Sequence, residues 1–158
     1  MASSFQIVLV EPEIPQNAGN IARTCAATGA RLHLIRPLGF ILSDRRLRRA
    51  GADYWADVDL VVHDSLAAFF REAAPEACCF FSRKASLLYP DVSAAGEPPL
   101  FFVFGRESVG LPDAILSAHP GRCFRLPMRP ETRSLNVSNA VAIVLYEALR
   151  QRGFPDLT

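Results

Sequence analysis

Apolar residues in this 158-residue chain fall into short runs separated by punctuation. Residues 5–10 are almost wholly apolar and end at Glu11-Pro12 and Pro15, which predicts a first strand. A helix is predicted over 17–28. Its small residues Ala18, Gly19, Ala22, Cys25 and Ala26 permit close packing, and Gly29 supplies the stop. Strands follow at 31–36 and 59–62, with a short basic helix at 44–50 between them. A helix over 65–73 leads to a fourth strand at 78–82. Residues 84–99 hold three prolines and a glycine and read as loop. The very apolar run 100–104 is the fifth strand. A short helix begins near Pro112, and 122–126 forms the sixth strand. A polar loop over 127–135 precedes a last helix at 137–152, stopped by Gly153 and Pro155.

In that last helix Val137, Val141, Val144, Leu145 and Ala148 follow helical spacing. Ile143 and Tyr146 widen the apolar surface beyond one face, which suggests a second buried contact such as a dimer interface. Strands alternating with helices predict a single α/β domain over 1–158, with a mainly parallel sheet flanked by helices.

Composition narrows the picture. Half the residues are hydrophobic and 21% are charged, enough apolar material for a core and too little charge for a disordered chain. A net charge of +1 gives no global case for nucleic acid, so any RNA contact must come from a local patch such as Arg45, Arg46, Arg48 and Arg49. That run equally suits a solvated helix face. Cys25, Cys78, Cys79 and Cys123 form no C-x-x-C pair and read as small buried side chains. No run approaches the length of a membrane span and no basic leader precedes the first strand, so a cytoplasmic protein is expected.

Several familiar chemistries lack their residues. No G-x-G-x-x-G follows the first strand. Gly105 and Gly110 have P-loop spacing, but Leu111-Pro112 replaces Lys-Ser/Thr. Ser108 misses a nucleophile elbow because Arg106 stands where its first glycine belongs. His33, His63 and His119 are far apart in sequence, so neither a metal site nor histidine catalysis is expected.

Three polar clusters remain. Asn17-Ala18-Gly19-Asn20-Ile21-Ala22-Arg23 opens a helix just after a strand, where free N–H groups attract anions; Arg23, one turn on from Asn20, can grip a phosphate. Asn17 and Asn20 are also ordinary caps, and Arg23 an ordinary surface residue. Phe104-Gly105-Arg106-Glu107-Ser108-Val109-Gly110-Leu111 follows the most apolar strand. Gly105 there lets a ligand approach the backbone, and Glu107 either bonds ligand hydroxyls or pins the neighbouring loop. A plain glycine turn is the simpler account. The third cluster, Leu126 to Asn139, carries Arg129 and Arg133. It then places Ser134, Asn136 and Ser138 ahead of a helix that needs one cap.

Together these clusters resemble the motifs of the SPOUT class of RNA methyltransferases, the α/β-knot fold, and within it the small tRNA wobble-nucleotide 2′-O-methyltransferases. Asn17-x-Gly19-Asn20-x-x-Arg23 resembles the first motif. Phe104-Gly105-x-Glu107-x-x-Gly110-Leu111 resembles the second. Leu126-Pro127-Met128 with Arg133-Ser134-Leu135-Asn136-Val137-Ser138-Asn139 resembles the third. Glu11-Pro12-Glu13-Ile14-Pro15 and Arg46-Leu47-Arg48-Arg49-Ala50-Gly51-x-Asp53-Tyr54 are also similar to that subgroup, so the likeness spans nearly the whole chain. Leu126 departs conservatively from an isoleucine common in relatives.

The resemblance implies a C-terminal trefoil knot, an obligate homodimer whose RNA site joins both subunits, and S-adenosyl-L-methionine as methyl donor. It implies no metal and no membrane. It assigns cofactor contacts to Phe81, Gly105, Leu126 and Ser134. It implies methylation of the ribose 2′-hydroxyl of nucleotide 34, a cytidine or modified uridine, in tRNA, with leucine tRNA as the expected substrate. Action on ribosomal RNA or another tRNA position, or a noncatalytic RNA-binding dimer, stays open. The catalytic set implied is Arg23, Asn17, Glu107 and Asn136. RNA contacts are expected from Arg23, Arg45, Arg46, Arg48, Arg129 and Arg133. Relatives' counterparts of Arg23 have been assigned as general base. An arginine is always protonated, so phosphate binding and stabilisation of developing alkoxide charge are expected of it instead, with Glu107 and Asn136 orienting loops and nucleotide.

Overall fold

The computed structural model describes residues 4–43, 55–96 and 99–158. The predicted basic helix at 44–50, and with it Arg45, Arg46, Arg48 and Arg49, lies outside the described residues. Seven strands form one sheet: β1 (Phe5–Val10), β2 (Arg31–Ile35), β3 (Leu60–His63), β4 (Cys78–Phe81), β5 (Leu87–Leu88), β6 (Leu100–Phe104) and β7 (Cys123–Arg125). Their order is β3-β2-β1-β6-β4-β7-β5, and every pairing is parallel. The described helices are α1 (Pro15–Thr28), α2 (Leu66–Glu72), α3 (Asp113–Ala118) and α4 (Val137–Gln151).

The continuous apolar runs follow from this topology. A parallel strand covered on both faces needs apolar side chains at every position. β1, β4 and β6 are buried throughout. Side chains alternate between two layers. Phe5, Ile7, Leu9, Leu32, Leu34 and Phe102 pack with Ile21, Ala22 and Cys25 of α1 and Val141, Val144 and Leu145 of α4. Val8, Val10, Ile35, Phe80, Phe101 and Val103 pack with Phe69 of α2 and with Leu111. Small residues let α1 and α4 meet on one side of the sheet, and Gly29 ends α1 in the left-handed conformation at φ 73°. The four cysteines are free and buried.

The structure corrects the sequence reading at several points. Residues 84–99 are not all loop: Leu87–Leu88 adds edge strand β5 beside β7. Helix α1 begins at Pro15, with Ile14 as its cap, so Asn17 lies inside the first turn and is buried. Histidines remote in sequence also meet. His33 on β2 and His63 on β3 face the same layer, with His33 Nδ1 2.9 Å from His63 Nε2 and His33 Nε2 2.5 Å from Gln6 Oε1 of β1. Since the glutamine oxygen only accepts, His33 must donate from Nε2 and accept at Nδ1.

Burial within this layer, reinforced by His63 and Arg31 and opposed by Asp59, pushes the His33 pKa down from 6.5 to about 4. Between these values the unfolded chain binds a proton that the folded chain refuses. The resulting stability is complete above pH 6.5 and is lost as pH falls toward 4. Moving from about pH 8 to about pH 5 should cost the wild type about 2 kcal/mol more than a His33→Gln variant. Urea unfolding at the two pH values measures the difference; equal losses would show that His33 does not carry it.

Candidate active site

Parallel sheets bind ligands beyond the carboxyl ends of their strands, where strand order reverses. Here β1 runs outward to β2 and β3 on one side, while β6, β4 and β7 lie on the other. The loops leaving the carboxyl ends of β4, β6 and β7 surround a cavity of about 420 Å³. This lies within the usual range of small-molecule and cofactor sites. Phe81, Phe104 and Leu126 form an apolar wall. Gly105, Ser134, Asn17, Glu107, Asn136 and Arg133 supply polar groups.

All four residues expected to touch a cofactor, Phe81, Gly105, Leu126 and Ser134, therefore line one cavity, although they come from three separate loops. Three of the four expected catalytic residues, Asn17, Glu107 and Asn136, line it too. Arg23 does not. It is exposed on α1, on the same side as exposed Asn20, and is absent from the cavity wall. Arg129 lines a smaller neighbouring pocket.

A hydrogen-bonded chain joins the three motifs. The Glu107 carboxylate accepts from the backbone N–H groups of Glu13 (2.8 Å) and Ile14 (3.1 Å), and from Asn17 Nδ2 (3.4 Å). Asn136 Nδ2 donates to Asn17 Oδ1 at 2.9 Å. Asn136 Oδ1 accepts from Ser138 N–H (2.9 Å) and Ser138 Oγ (2.5 Å), capping α4. The anion at the start of α1 is thus the protein's own Glu107. Glu107 pins neighbouring loops, one of the two roles expected of it, while also lining the cavity. Asn17 bridges instead of capping, and Asn136 is the cap among the three candidates before α4.

The loop after β6 is closed on itself. Gly110 N–H donates to the Arg106 carbonyl at 2.8 Å, and Gly110 sits at φ 72°. A Cβ on Gly105 would lie 2.1 Å from the Gly110 carbonyl carbon and 2.2 Å from the Leu111 nitrogen. The close approach demanding this glycine is therefore made by the chain itself. In the same loop, Glu13 accepts from Ser108 Oγ at 2.6 Å, and Arg106 reaches Glu11 and Glu13 at 3.5 and 3.4 Å. The Ser108 hydroxyl first, then the Ser108 N–H and Arg106, hold the Glu13 carboxyl below its usual range against the opposing effect of desolvation. Among the described residues no three of His, Cys, Asp and Glu gather as a metal site, and no helix is long and apolar enough to cross a membrane.

Known proteins resemble this chain in sequence and fold. Residues 4–146 match the model of the SpoU rRNA Methylase family. A tRNA (cytidine(34)-2′-O)-methyltransferase from Burkholderia pseudomallei is 50% identical over 153 residues, 95% of this chain and 97% of the relative. A solved structure concerned with 2-OH methylation of C/U34 on tRNA superposes with a TM-score of 0.85 at 46% identity, covering 94% of this chain and 91% of that one. An AdoMet-bound rRNA methyltransferase from Sinorhizobium meliloti gives 0.83 at 25% identity, covering 95% of this chain and 57% of that one. With the match running from β1 into α4 and the three motifs meeting around one cavity, the chain belongs to the SpoU rRNA methylase family.

Proposed function

We propose that this protein is an S-adenosyl-L-methionine-dependent tRNA methyltransferase that methylates the ribose 2′-hydroxyl of nucleotide 34. The observation that carries this reading is the convergence of all three motifs on one cavity, held together through Glu107, Asn17 and Asn136. The relative of equal length named for cytidine 34 supports the choice of substrate.

The residues present fit the cofactor. Phe81 and Leu126 offer an apolar wall to a flat base, while the loops carrying Gly105 and Ser134 offer backbone polar groups beside it. When bound, S-adenosyl-L-methionine supplies a methyl group on a positively charged sulfur, open to in-line attack by a 2′-oxygen. The protein's task is then alignment, which by itself accelerates such a displacement strongly. Glu107 and Asn136 act as positioning residues that fix the loops around the reacting centre. Arg23 holds the RNA phosphate and stabilises charge developing on the 2′-oxygen. The leaving proton passes to phosphate or water.

Exposed Arg23 lies outside the cavity of its own chain, so the reading includes a homodimer in which one subunit's Arg23 serves the other's cavity. The apolar side chains of Ile14, Ile143 and Tyr146, each 39–46% exposed, supply surface for that contact. The proposal also includes a knot at residues 126–139, a segment tied to its neighbours through Asn136 to Asn17 and through Arg83 to the Arg133 carbonyl. A tRNA substrate places the enzyme in the cytoplasm.

Incubation with methyl-labelled S-adenosyl-L-methionine and either bulk tRNA or ribosomal RNA, followed by nucleoside analysis, tests the proposal. Labelled 2′-O-methylcytidine or 2′-O-methyluridine from position 34 of tRNA is the expected product. Label confined to ribosomal RNA, or no transfer at all, would refute it.

A further inference from the structure

A second pocket of about 80 Å³ adjoins the main cavity and shares Arg83, Arg125, Leu126 and Met128 with it. Its other walls are Arg129, Pro130 and Thr132. Three arginines therefore line a space of roughly phosphate size. Among the described residues no carboxylate comes within 4.0 Å of Arg83, Arg125 or Arg129, although Lys84 nearby is paired with Asp113 at 2.8 Å. Arg83 donates to the Arg133 backbone carbonyl, which restrains its side chain.

Arg125 is the telling residue. It is the last residue of β7, between the core side chain of Phe124 and buried Leu126. Its Nε is the one side-chain nitrogen or oxygen among the described residues that is buried without a hydrogen-bond partner. Buried donors are nearly always satisfied, and an orphan in a native fold points to a missing acceptor. Three like charges sharing a pocket without a counterion also repel one another. One oxyanion resolves both problems, because a guanidinium presents Nε–H and a terminal N–H as a fork matching two oxygens.

We propose that Arg83, Arg125 and Arg129 form an oxyanion subsite that holds a backbone phosphate of the substrate RNA next to the nucleotide being methylated. This rests on the reading of the adjoining cavity as the methyl-transfer site, and it adds Arg83 and Arg125 to the residues expected to meet RNA. The carboxylate of the methyl donor is the other oxyanion available. The phosphate is favoured because Arg83, Arg129, Pro130 and Thr132 are all exposed, so the pocket opens on the surface where a polynucleotide must lie. Three cations also exceed what a single carboxylate requires.

The test uses the full-length enzyme with tRNA carrying cytidine 34, comparing wild type with Arg125→Gln, Arg125→Lys and Arg129→Gln. For Arg125→Gln, KM for tRNA should rise about tenfold and the salt dependence of tRNA affinity should flatten by about one unit of slope. Arg125→Lys should restore the salt slope but only part of the KM, since an ammonium keeps the charge and loses the fork. Affinity for S-adenosylhomocysteine should stay within about twofold. Weakened S-adenosylhomocysteine binding with an unchanged tRNA slope would assign the pocket to the cofactor carboxylate and overturn the proposal. Unchanged values for both ligands would overturn it as well. If Arg125→Gln does not fold, the exposed Arg129→Gln decides the matter by the same slope. Wild-type enzyme that methylates no tRNA would instead refute the proposed function, which separates the two failures.

Discussion

Replacing Arg23 with alanine should lower turnover on tRNA at least about a hundredfold, the scale seen when one preorganised donor to a developing oxyanion is removed. Affinity for S-adenosyl-L-methionine should stay unchanged, because Arg23 is on the exposed side of α1 and contributes nothing to the wall of the 420 Å³ cavity. The fold should tolerate the change, since the buried residues of α1 are Asn17, Ala18, Gly19, Ile21, Ala22 and Cys25. Arg23→Lys should recover part of the activity by restoring charge without the planar fork. Steady-state kinetics together with calorimetric cofactor titration separate the effects. Near wild-type turnover in Arg23→Ala would end the assignment. Loss of cofactor affinity would instead place Arg23 at the methyl donor. Mixed dimers sharpen the test. If Arg23 serves the partner's cavity, Arg23→Ala subunits combined with subunits defective in the cavity should regain activity, because one of the two composite sites is then intact.

Much of this arrangement is legible in the sequence, for identifiable reasons. Buried parallel strands demand uninterrupted apolar runs, so β1, β4 and β6 stand out as Phe5–Val10, Cys78–Phe81 and Leu100–Phe104. The segment after β6 turns polar immediately beyond such a strand, the one after β7 only further along, at Arg133, Ser134 and Asn136, and both wall the cavity. What is not legible depends on register and neighbourhood. β5 has two residues, too few to show periodicity, and follows from its pairing with β7. The His33–His63 contact needs β2 and β3 side by side with a two-residue diagonal offset, which no linear spacing reveals. Glu107 binds the start of α1 more than ninety residues earlier in the chain. Arg125 offered one faint signal: a charge inside the otherwise apolar run Cys123-Phe124-Arg125-Leu126.

Gly105→Ala should be a severely damaging one-carbon change. The added methyl would be placed 2.1 Å from the carbonyl carbon of Gly110 and 2.2 Å from the nitrogen of Leu111. Both obstacles are backbone, so no rotamer change relieves them. The loop cannot simply widen, because the bond from Gly110 N–H to the Arg106 carbonyl closes it and Leu111 is anchored in the core layer with Val10 and Phe80. Glu107, two residues along, would be carried away from Glu13, Ile14 and Asn17, and Asn17 in turn positions Asn136. Overpacking a rigid site of this kind costs about 3 kcal/mol, which lowers Tm by roughly 6–12 °C for a chain of this size. Cofactor affinity should fall at least about tenfold in whatever fraction stays folded, since the displaced loop is one wall of the cavity. Thermal unfolding with and without S-adenosylhomocysteine reads both effects, because a ligand that binds only the folded state raises Tm by an amount that grows with the logarithm of its affinity. Gly110→Ala is the informative comparison. Its Cβ would meet nothing within 4 Å, and the penalty comes only from its left-handed φ of 72°. That strain should cost about 1 kcal/mol and leave cofactor binding largely intact. Equal behaviour of the two variants would show that loop conformation, and not the packing of Gly105 against the chain, is what the site depends on.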